Sequence, residues 1–227
     1  METFYDTEKQ QIIIGVDEAG RGPLFGDVYT SAVILPKESE FDRSILKDSK
    51  RFTSKKKIKE VFQNIRDNNI IQSVDFSTHE LIDKINILQA TQKSMHKSVY
   101  NVITSYIQKY EEKNTFDLSL LNTFHIYVDG NYFNEFMFFY NNQYYKINHT
   151  CLIKGDSLCK AISAASILAK VSRDNYIDRF VESNPDYEER YKLSKNKGYG
   201  TKQHLEGIRT YGYSEFHRKS FKLKSIP

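Results

Sequence analysis

Residues 11–35 read QIIIGVDEAGRGPLFGDVYTSAVIL, and this stretch decides the fold. Its two apolar segments, 11–18 and 26–35, have the composition of β-strands. The glycines and the proline between them predict a turn, so the two segments are expected to form a hairpin. Two acids, Asp17 and Glu18, close the first strand directly before that turn. Neighbouring strand residues point to opposite faces, so both acids reach one metal ion only if the backbone bends or a main-chain carbonyl takes part.

The rest of the chain alternates strand-like with helix-like segments. Further strands are predicted over 69–76, 124–128 and about 144–153. Helices are predicted over 54–66, from a capping box of Ser77 and Glu80 to Tyr106, over roughly 157–181, and from a cap at Thr201 to about Thr210. Residues 111–123 are polar and loop-like, and the stretch 131–148, rich in Asn and aromatic residues, is the hardest to assign. Strands that lead and then interleave with helices predict an α/β fold.

Length and composition limit the class of protein. A chain of 227 residues with 39% hydrophobic and 27% charged residues can bury a sizeable core and is not a disordered chain. Its longest apolar runs are too short to span a bilayer, and the first ten residues carry acids and no apolar signal segment. Cys151 and Cys159 give neither a disulfide framework nor a zinc pattern, which favours ordinary thiols in a reducing compartment. We therefore expect a cytoplasmic protein without a membrane partner.

Positive charge is concentrated in two segments, although the net charge of the chain is only +4. Residues 190–227 hold ten Lys and Arg against two acids, a local balance of +8. Residues 47–59 hold seven against one acid, a balance of +6. Such segments are typical of proteins that bind a polyanion, and nucleic acid is the predicted partner. The alternative is a pair of solvated protein faces.

Carboxylates from three separate segments stand at the ends of predicted elements. They are the pair that closes the first strand, one acid that ends the fourth strand and one that begins a helix rich in small residues: Asp17, Glu18, Asp129 and Asp156. Taken singly, Asp129 fits a turn before Gly130, and Asp156 fits a helix N-cap. Together they would crowd negative charge that only a cation keeps ionised. Oxygen ligands without paired Cys or His favour Mg²⁺ or Mn²⁺, and such a site suits phosphoryl chemistry.

The glycine turn, GRGPLFG at 20–26, resembles a phosphate-binding loop, but its spacing does not match the dinucleotide-binding pattern. Two acids directly before it would also repel a dinucleotide phosphate. No acid about twenty residues beyond a strand–turn–helix unit supports a dehydrogenase. A turn that brings main-chain groups against a sugar-phosphate fits better, with Arg21 approaching the backbone of a nucleic acid.

The residues around these acids resemble the type 2 ribonuclease H family, the ribonuclease HII family. The resemblance begins with GVDEAGRGPLFG at 15–26 and covers nearly the whole chain in the family's order. The further matching segments are LKDSK (46–50), INILQAT (85–91), YVDGN (127–131), KGDSLCKAISAASILAKVSRD (154–174), KGYGTKQHL (197–205) and HRKSF (217–221). The type 3 family usually lacks the GRG loop and carries an extra N-terminal domain, so the GRG loop and the roughly ten residues before the first strand favour type 2.

The resemblance implies an RNase H-like α/β core, with a mixed central sheet flanked by helices and a helical C-terminal part. The chain would be one domain over 1–227, with a catalytic core of about 10–182 and a substrate-binding part of about 183–227. It implies cleavage of RNA in RNA–DNA hybrids and nicking 5′ of ribonucleotides embedded in duplex DNA. The enzyme would be a monomer that uses Mn²⁺ or Mg²⁺ in two-metal-type activation of water and leaves a 3′-hydroxyl and a 5′-phosphate.

The resemblance also assigns roles to residues of this chain. By motif, the family's metal-binding catalytic acids fall on Asp17, Glu18, Asp129 and Asp156. The contacts to substrate fall on Gly20, Arg21 and Gly22 for the ribose 2′-hydroxyl, on Tyr199 for the sugar beside the ribonucleotide, and on Asp48, Ser49 and Lys50 for phosphate. For Tyr199 the alternative is a ring packed onto the following helix.

Three positions depart from the family pattern, since Phe25, Asp27 and Tyr29 stand where small apolar residues are more common. We expect them to alter packing behind the site without removing a ligand. The competing function is a non-catalytic module that binds RNA–DNA hybrids. The four intact acids argue against it, because binding alone gains nothing from crowded carboxylates.

Overall fold

A computed structural model describes residues 11–36, 40–47, 49, 52, 54–68, 70–112 and 117–221. Its strands are β1 (Ile12–Ala19), β2 (Val28–Ile34), β3 (Ile71–Ser77), β4 (Phe124–Asp129), β5 (Phe136–Tyr140) and β6 (Gln143–Leu152). They form one mixed sheet in the order β3-β2-β1-β4-β6-β5. Antiparallel pairing joins β1 to β2, β2 to β3 and β5 to β6, whereas β4 lies parallel to both β1 and β6.

Helices surround this sheet. They are α1 (Lys55–Asp67), α2 (His79–Ile85), α3 (Ile87–Glu111), α4 (Gly155–Leu158), α5 (Lys160–Ser183), α6 (Pro185–Tyr191), α7 (Leu193–Asn196) and α8 (Lys202–Tyr211). Short 3-10 helices occupy Arg43–Ile45 and Leu118–Thr123. The predicted α/β fold with a mixed sheet flanked by helices is confirmed.

The two faces of the sheet are covered by different helices. On one face, Ile14 and Val16 of β1 pack with Val102 and its neighbours on α3. On the other face, α5 approaches so closely that a Cβ on Gly15 would lie 2.1 Å from the carbonyl carbon of Ala161. Glycine at 15 and the small residues of α5 therefore permit this contact, and α1 packs beside α5 on the same face. Alternate residues of β1 thus face α3 and α5 in turn.

The C-terminal segment packs against the glycine turn through the backbone. The N–H of Leu24 donates to the Gly198 carbonyl at 2.8 Å, and the N–H of Gly26 donates to the Phe216 carbonyl at 3.0 Å. In return, the N–H of Arg218 donates to the Leu24 carbonyl at 2.8 Å. The turn is therefore held by residues far away in sequence rather than by its own hydrogen bonds alone.

Most predicted elements are present with shifted ends. The hairpin is β1–β2, with Gly15 opposite Val33, although β2 begins at Val28 rather than at residue 26. The predicted strands at 69–76, 124–128 and 144–153 are β3, β4 and β6, and the helices at 54–66 and 157–181 are α1 and α5. Thr201 caps α8 as predicted, because its Oγ1 accepts the His204 N–H at 3.4 Å.

The capping box at Ser77 is wrong. Ser77 is the last residue of β3, and its hydroxyl donates to the Ala90 carbonyl at 2.8 Å. Thr78 is the N-cap instead, and its Oγ1 accepts the Leu81 N–H at 3.3 Å. The predicted long helix is also two helices, because Asn86 has φ +68 and its side chain caps α3.

The aromatic stretch 131–148 contains a strand that the sequence analysis did not assign. β5 (Phe136–Tyr140) pairs with β6, and Phe136 and Phe138 are buried under α3. The turn between the strands has two asparagines with positive φ, +46 at Asn141 and +58 at Asn142. Two such residues are the requirement of a tight type I′ hairpin turn.

Candidate active site

Asp17 and Asp129 lie side by side at the carboxyl ends of two parallel strands. The β1–β4 register pairs Val16 with Val128, so the two aspartates occupy the next matching positions. The residues two before each of them pack against α5. Both carboxylates therefore project to the α5 face of the sheet. The parallel pairing thus aligns two of the four predicted acids, and Glu18, which follows Asp17, lines the same cleft.

Asp17 is buried, and two other carboxylates stand close to its own. Burial raises the pKa of Asp17 well above its usual value, and the charges of Glu18 and Asp129 raise it further. Two hydrogen bonds oppose this shift: one from the Glu18 N–H to Oδ1 at 2.7 Å, and one with the Ser166 hydroxyl of α5. A divalent cation beside these oxygens would relieve the repulsion, so the donor set fits Mg²⁺ or Mn²⁺.

Glu18 faces the other side of the sheet. Strand β1 stays paired with β2 through Ala19, and the backbone turns only at Gly20, where φ is +96. Glu18 therefore points to the α3 side, where its Oε1 accepts from Nη1 of Arg21 at 3.4 Å. The bend that would bring Asp17 and Glu18 to one face does not occur between them.

Asp156 is buried in the first turn of α4. The N-cap of that helix is Lys154, in the left-handed conformation, so Asp156 is not an N-cap. The N–H of Gly155 donates to Oδ1 of Asp129 at 2.7 Å, which fixes the start of α4 at the acid end of the sheet. Across the described residues, however, no three His, Cys, Asp or Glu side chains are close enough to hold one ion between them. The four acids share one region without forming a closed ligand set.

A cleft of about 490 Å³ opens over Asp17 and Asp129. The first residues of the glycine turn form one wall, and Tyr199, with 49% of its surface exposed, forms another. The walls are close, because a Cβ on Gly22 would lie 3.6 Å from Cε1 of Tyr199. Basic side chains from α5 and the C-terminal segment also line the cleft: Lys170, Arg173, Lys195 and Lys197. Carboxylates, a glycine turn, an aromatic ring and positive charge therefore meet in one cleft.

Two buried arginines hold the glycine turn by its carbonyl oxygens. Arg218 donates to four of them at 2.7–3.0 Å, those of Gly20, Arg21, Pro23 and Gly26. Arg173 of α5 donates to the carbonyls of Phe25, Asp27 and Lys197. Both guanidinium groups are almost inaccessible to solvent, and burial of such groups is costly without these acceptors. Neither arginine is among the predicted site residues, although both lie in the matching segments that end in SRD and begin with HR.

The three unusual residues of the hairpin, Phe25, Asp27 and Tyr29, pack outside the acid cleft. Phe25 is fully buried, with its ring 5.2 Å from that of Phe180. Asp27 is buried and accepts the His79 N–H at 3.1 Å. Tyr29 stacks on an exposed ring of β3. In the described part of the chain, none of the three lines the acid cleft.

Of the three predicted phosphate contacts, the structure describes only Ser49. Asp48 and Lys50 lie outside the described residues. Ser49 is buried, lines the acid cleft and lies 3.0 Å from Ser166 between the two hydroxyl oxygens. The lysines at 55–57 are exposed at the start of α1. No helix in the described ranges is long and apolar enough to cross a bilayer.

Comparison with known proteins gives one consistent family. The family model described as Ribonuclease HII matches residues 14–224. A Ribonuclease HII from Christiangramia forsetii is 40% identical over 225 residues, which cover 98% of this chain and 96% of the relative. A Ribonuclease HII from Treponema denticola is 41% identical over 216 residues, which cover 95% of this chain and all of the relative.

Solved structures with the same fold have lower sequence identity. A chain of the PCNA:RNase HII complex from Archaeoglobus fulgidus matches with a TM-score of 0.62 at 19% identity, over 95% of this chain and 98% of that one. Ribonuclease H2 from Pyrococcus horikoshii matches with a TM-score of 0.58 at 22% identity, over 92% and 93%. Bst-RNase HIII in complex with Mn²⁺ matches with a TM-score of 0.57 at 14% identity, over 92% of this chain and 73% of that one.

Proposed function

Because the chain belongs to the ribonuclease HII family and is a ribonuclease H, we propose that it hydrolyses RNA in RNA–DNA hybrids and nicks duplex DNA on the 5′ side of an embedded ribonucleotide. The observation that carries this proposal is the cleft in which Asp17 and Asp129 lie below the glycine turn and Tyr199. A module that only binds nucleic acid would have no use for a buried Asp17 beside a second carboxylate, because the pair repels phosphate.

The proposed metal site uses this chain's own oxygens. Asp17 and Asp129 would hold the first divalent ion, and Glu18 and Asp156 would complete the set from the two sides of the sheet end. When bound, such ions activate water and stabilise the leaving oxygen of a phosphodiester. The Ser166 hydroxyl, which interacts with Asp17, helps to keep that carboxylate oriented toward the cleft. The product would carry a 3′-hydroxyl on one side of the cut and a 5′-phosphate on the other.

The glycine turn is oriented to offer N–H groups to a ribose. The carbonyls of Gly20 and Arg21 point at Arg218, which does not line the cleft. In a trans peptide the C=O and the following N–H point in opposite directions. The N–H groups of Arg21 and Gly22 therefore point away from Arg218, on the side where a 2′-hydroxyl would be recognised. Such recognition separates RNA from DNA at a single nucleotide.

A duplex with one embedded ribonucleotide tests the proposal directly. With Mg²⁺ or Mn²⁺ the protein should nick the ribonucleotide strand once, and with EDTA it should bind without nicking. Asp129→Asn should lower the nicking rate by several orders of magnitude, because metal positioning supplies most of the catalysis. Asp186→Asn, which changes an exposed carboxylate on α6, is the matched control and should nick normally. Metal-independent binding with no nick in any divalent ion would favour the hybrid-binding module.

A further inference from the structure

A second hollow adjoins the acid cleft on the α3 side of the sheet. It measures about 260 Å³ and lies between α3 and the loop that follows β4. Glu18, Arg21 and Asp129 line both this hollow and the acid cleft, so the two are adjoining halves of one groove with the acids in the middle. The remaining lining residues are Leu88, Thr91, Gln92, Met95, Gly130, Asn131 and Tyr132.

The outer wall of this hollow, Tyr132, is held in place. Its ring is 48% exposed, and its hydroxyl donates to Oδ1 of Asn134 at 2.7 Å. Buried Gln92 of α3 fixes the same loop, because its Oε1 accepts the Asn134 N–H at 2.8 Å and its Nε2 lies 3.4 Å from the Tyr132 carbonyl oxygen. Gln92 is a polar residue among Leu88, Met95 and Val99 on one face of α3. Its two contacts with this loop account for a polar side chain at that position. A ring that is already fixed loses little freedom when a ligand packs on it.

Two half-exposed tyrosines therefore stand on opposite sides of the acids, Tyr199 in the acid cleft and Tyr132 in the second hollow. The floor on the Tyr132 side includes apolar Leu88 and Met95. An apolar floor beside one exposed ring suits the flat face of a sugar or base rather than a phosphate. The acids between the tyrosines are where the reacting phosphate would lie.

We propose that the second hollow binds the nucleotide on the 5′ side of the cut, with Tyr132 packed against its sugar. The inference rests on the proposed function. If Tyr199 contacts the sugar that follows the ribonucleotide and the glycine turn contacts the ribonucleotide, the strand must cross the acids and enter the hollow at Tyr132. The nucleotide placed there carries the 3′-oxygen that leaves when the phosphodiester bond breaks and the attacking water oxygen bonds to phosphorus. Tyr132 is thus a positioning residue for the leaving side of the substrate.

Two substrates and three variants test this inference. The first substrate is a duplex with one embedded ribonucleotide, and in the second a three-carbon spacer replaces the nucleotide 5′ of the cut. Tyr132→Ala should raise KM about tenfold on the first substrate, as expected for the removal of one aromatic ring that packs on a nucleotide. On the spacer substrate, Tyr132→Ala and the wild type should be equal. Tyr132→Phe, which keeps the ring but loses the hydrogen bond to Asn134, should raise KM less than Tyr132→Ala on the first substrate and equal the wild type on the spacer substrate.

Tyr144→Ala is the matched control. Tyr144 is a 70% exposed aromatic residue of the same stretch, on the β5–β6 hairpin and outside both hollows. It should leave KM unchanged, and all variants should keep the melting temperature of the wild type. An equal rise in KM on both substrates, or no rise on either, would overturn the Tyr132 contact while the proposed function stands. A wild-type protein that nicks neither substrate would instead overturn the proposed function, and this inference with it.

Discussion

Asp17 destabilises the folded protein whenever no cation is near it, because its pKa is raised in the fold by burial and by two neighbouring carboxylates. A raised carboxyl pKa means that the folded state holds its proton more tightly than the unfolded state. The stability cost is therefore absent below the ordinary pKa near 3.8, grows as pH rises from there to the raised pKa of the folded state, and is complete above it.

Asp17→Asn should accordingly raise the melting temperature by a few degrees at pH 7 in EDTA, as measured by calorimetry. The gain should vanish as pH falls below about 4, because Asp17 is then protonated in the unfolded as well as the folded wild type. Saturating Mn²⁺ should reverse the sign, since only the wild type gains the full binding energy. Asp186→Asn on the exposed face of α6 should show neither effect. A variant that is less stable than the wild type in EDTA at pH 7 would mean that Asp17 is stabilised by contacts other than those described.

Tyr199 is expected to affect cleavage at a single embedded ribonucleotide and cleavage within a continuous RNA strand to different extents. Tyr199→Ala should lower cleavage at a single embedded ribonucleotide by about ten- to a hundredfold, because it removes one stacking interaction of ~1–3 kcal/mol. Cleavage within a continuous RNA strand should change by a different factor, because the next sugar then carries a hydroxyl. The measurement is the ratio of the two rates. Tyr211→Ala, which removes an exposed tyrosine of α8 outside the cleft, should leave the ratio unchanged. If Tyr199→Ala had the same ratio of rates as the wild type, Tyr199 would have no role in substrate discrimination.

Arg218→Lys should loosen the glycine turn, because lysine cannot reach four carbonyl oxygens with a rigid fork of donors. Each buried carbonyl left without a donor costs ~1–3 kcal/mol, so the melting temperature should fall. In EDTA, well below that temperature, the preference for a ribonucleotide-containing duplex over an all-DNA duplex should fall toward one. Arg209→Lys on α8, where the arginine is half exposed, should change neither quantity. A destabilised variant with unchanged preference would limit Arg218 to a structural role.

At the scale of elements, the exposed lysines at the start of α1 offer a test of the predicted polyanion partner. Reversing the charge of Lys55, Lys56 and Lys57 should weaken binding to all-DNA and ribonucleotide-containing duplexes alike. The slope of log affinity against log salt should also become shallower, by ~0.9 for each phosphate that the protein no longer neutralises. Lys146→Glu on the β5–β6 hairpin is a control at a distant exposed lysine. If the affinity for duplex did not respond to salt, the basic segments would be solvated faces that do not contact nucleic acid.

The individual strands and helices also show which parts of the fold could be predicted from sequence patterns. The β1–β2 hairpin was predicted because its apolar runs and its glycine turn agree. The break at Asn86 was missed because apolar residues continue at helical spacing across it, and only the backbone torsion marks the change. β5 did carry a signal, since two asparagines at 141 and 142 separate two aromatic segments, as a type I′ turn requires.

The candidate site was predictable where it depends on strand ends and unpredictable where it depends on distant packing. Asp17 and Asp129 end apolar runs, but their alignment comes from a parallel pairing between strands more than a hundred residues apart. Arg218 was counted with the basic surface of the C-terminal segment, yet it is fully buried and binds carbonyls. Charge counts along a sequence do not separate a solvated cation from a structural one. The division of the chain near residue 182 and the roles of the predicted site residues stay predictions.

At the scale of the whole molecule, the hydrogen bonds from Arg218 to the glycine turn join residues 192 to 198 positions apart. Contacts of such long sequence separation are expected to form late in folding, because closing a long chain segment costs entropy before the contact repays it. At ~5–20 residues per second of synthesis, roughly 10–40 s separate the turn from Arg218 on the ribosome. A growing chain thus carries its strand-end carboxylates well before the turn beside them is fixed.

In pulse-labelled refolding, amides of β1 and β2 should gain protection from hydrogen exchange before those of Leu24 and Gly26, whose acceptors are the Gly198 and Phe216 carbonyls. Simultaneous protection would contradict this order. The nascent protein is therefore expected to become selective for its substrate only after residue 218 has been synthesised and has left the ribosome.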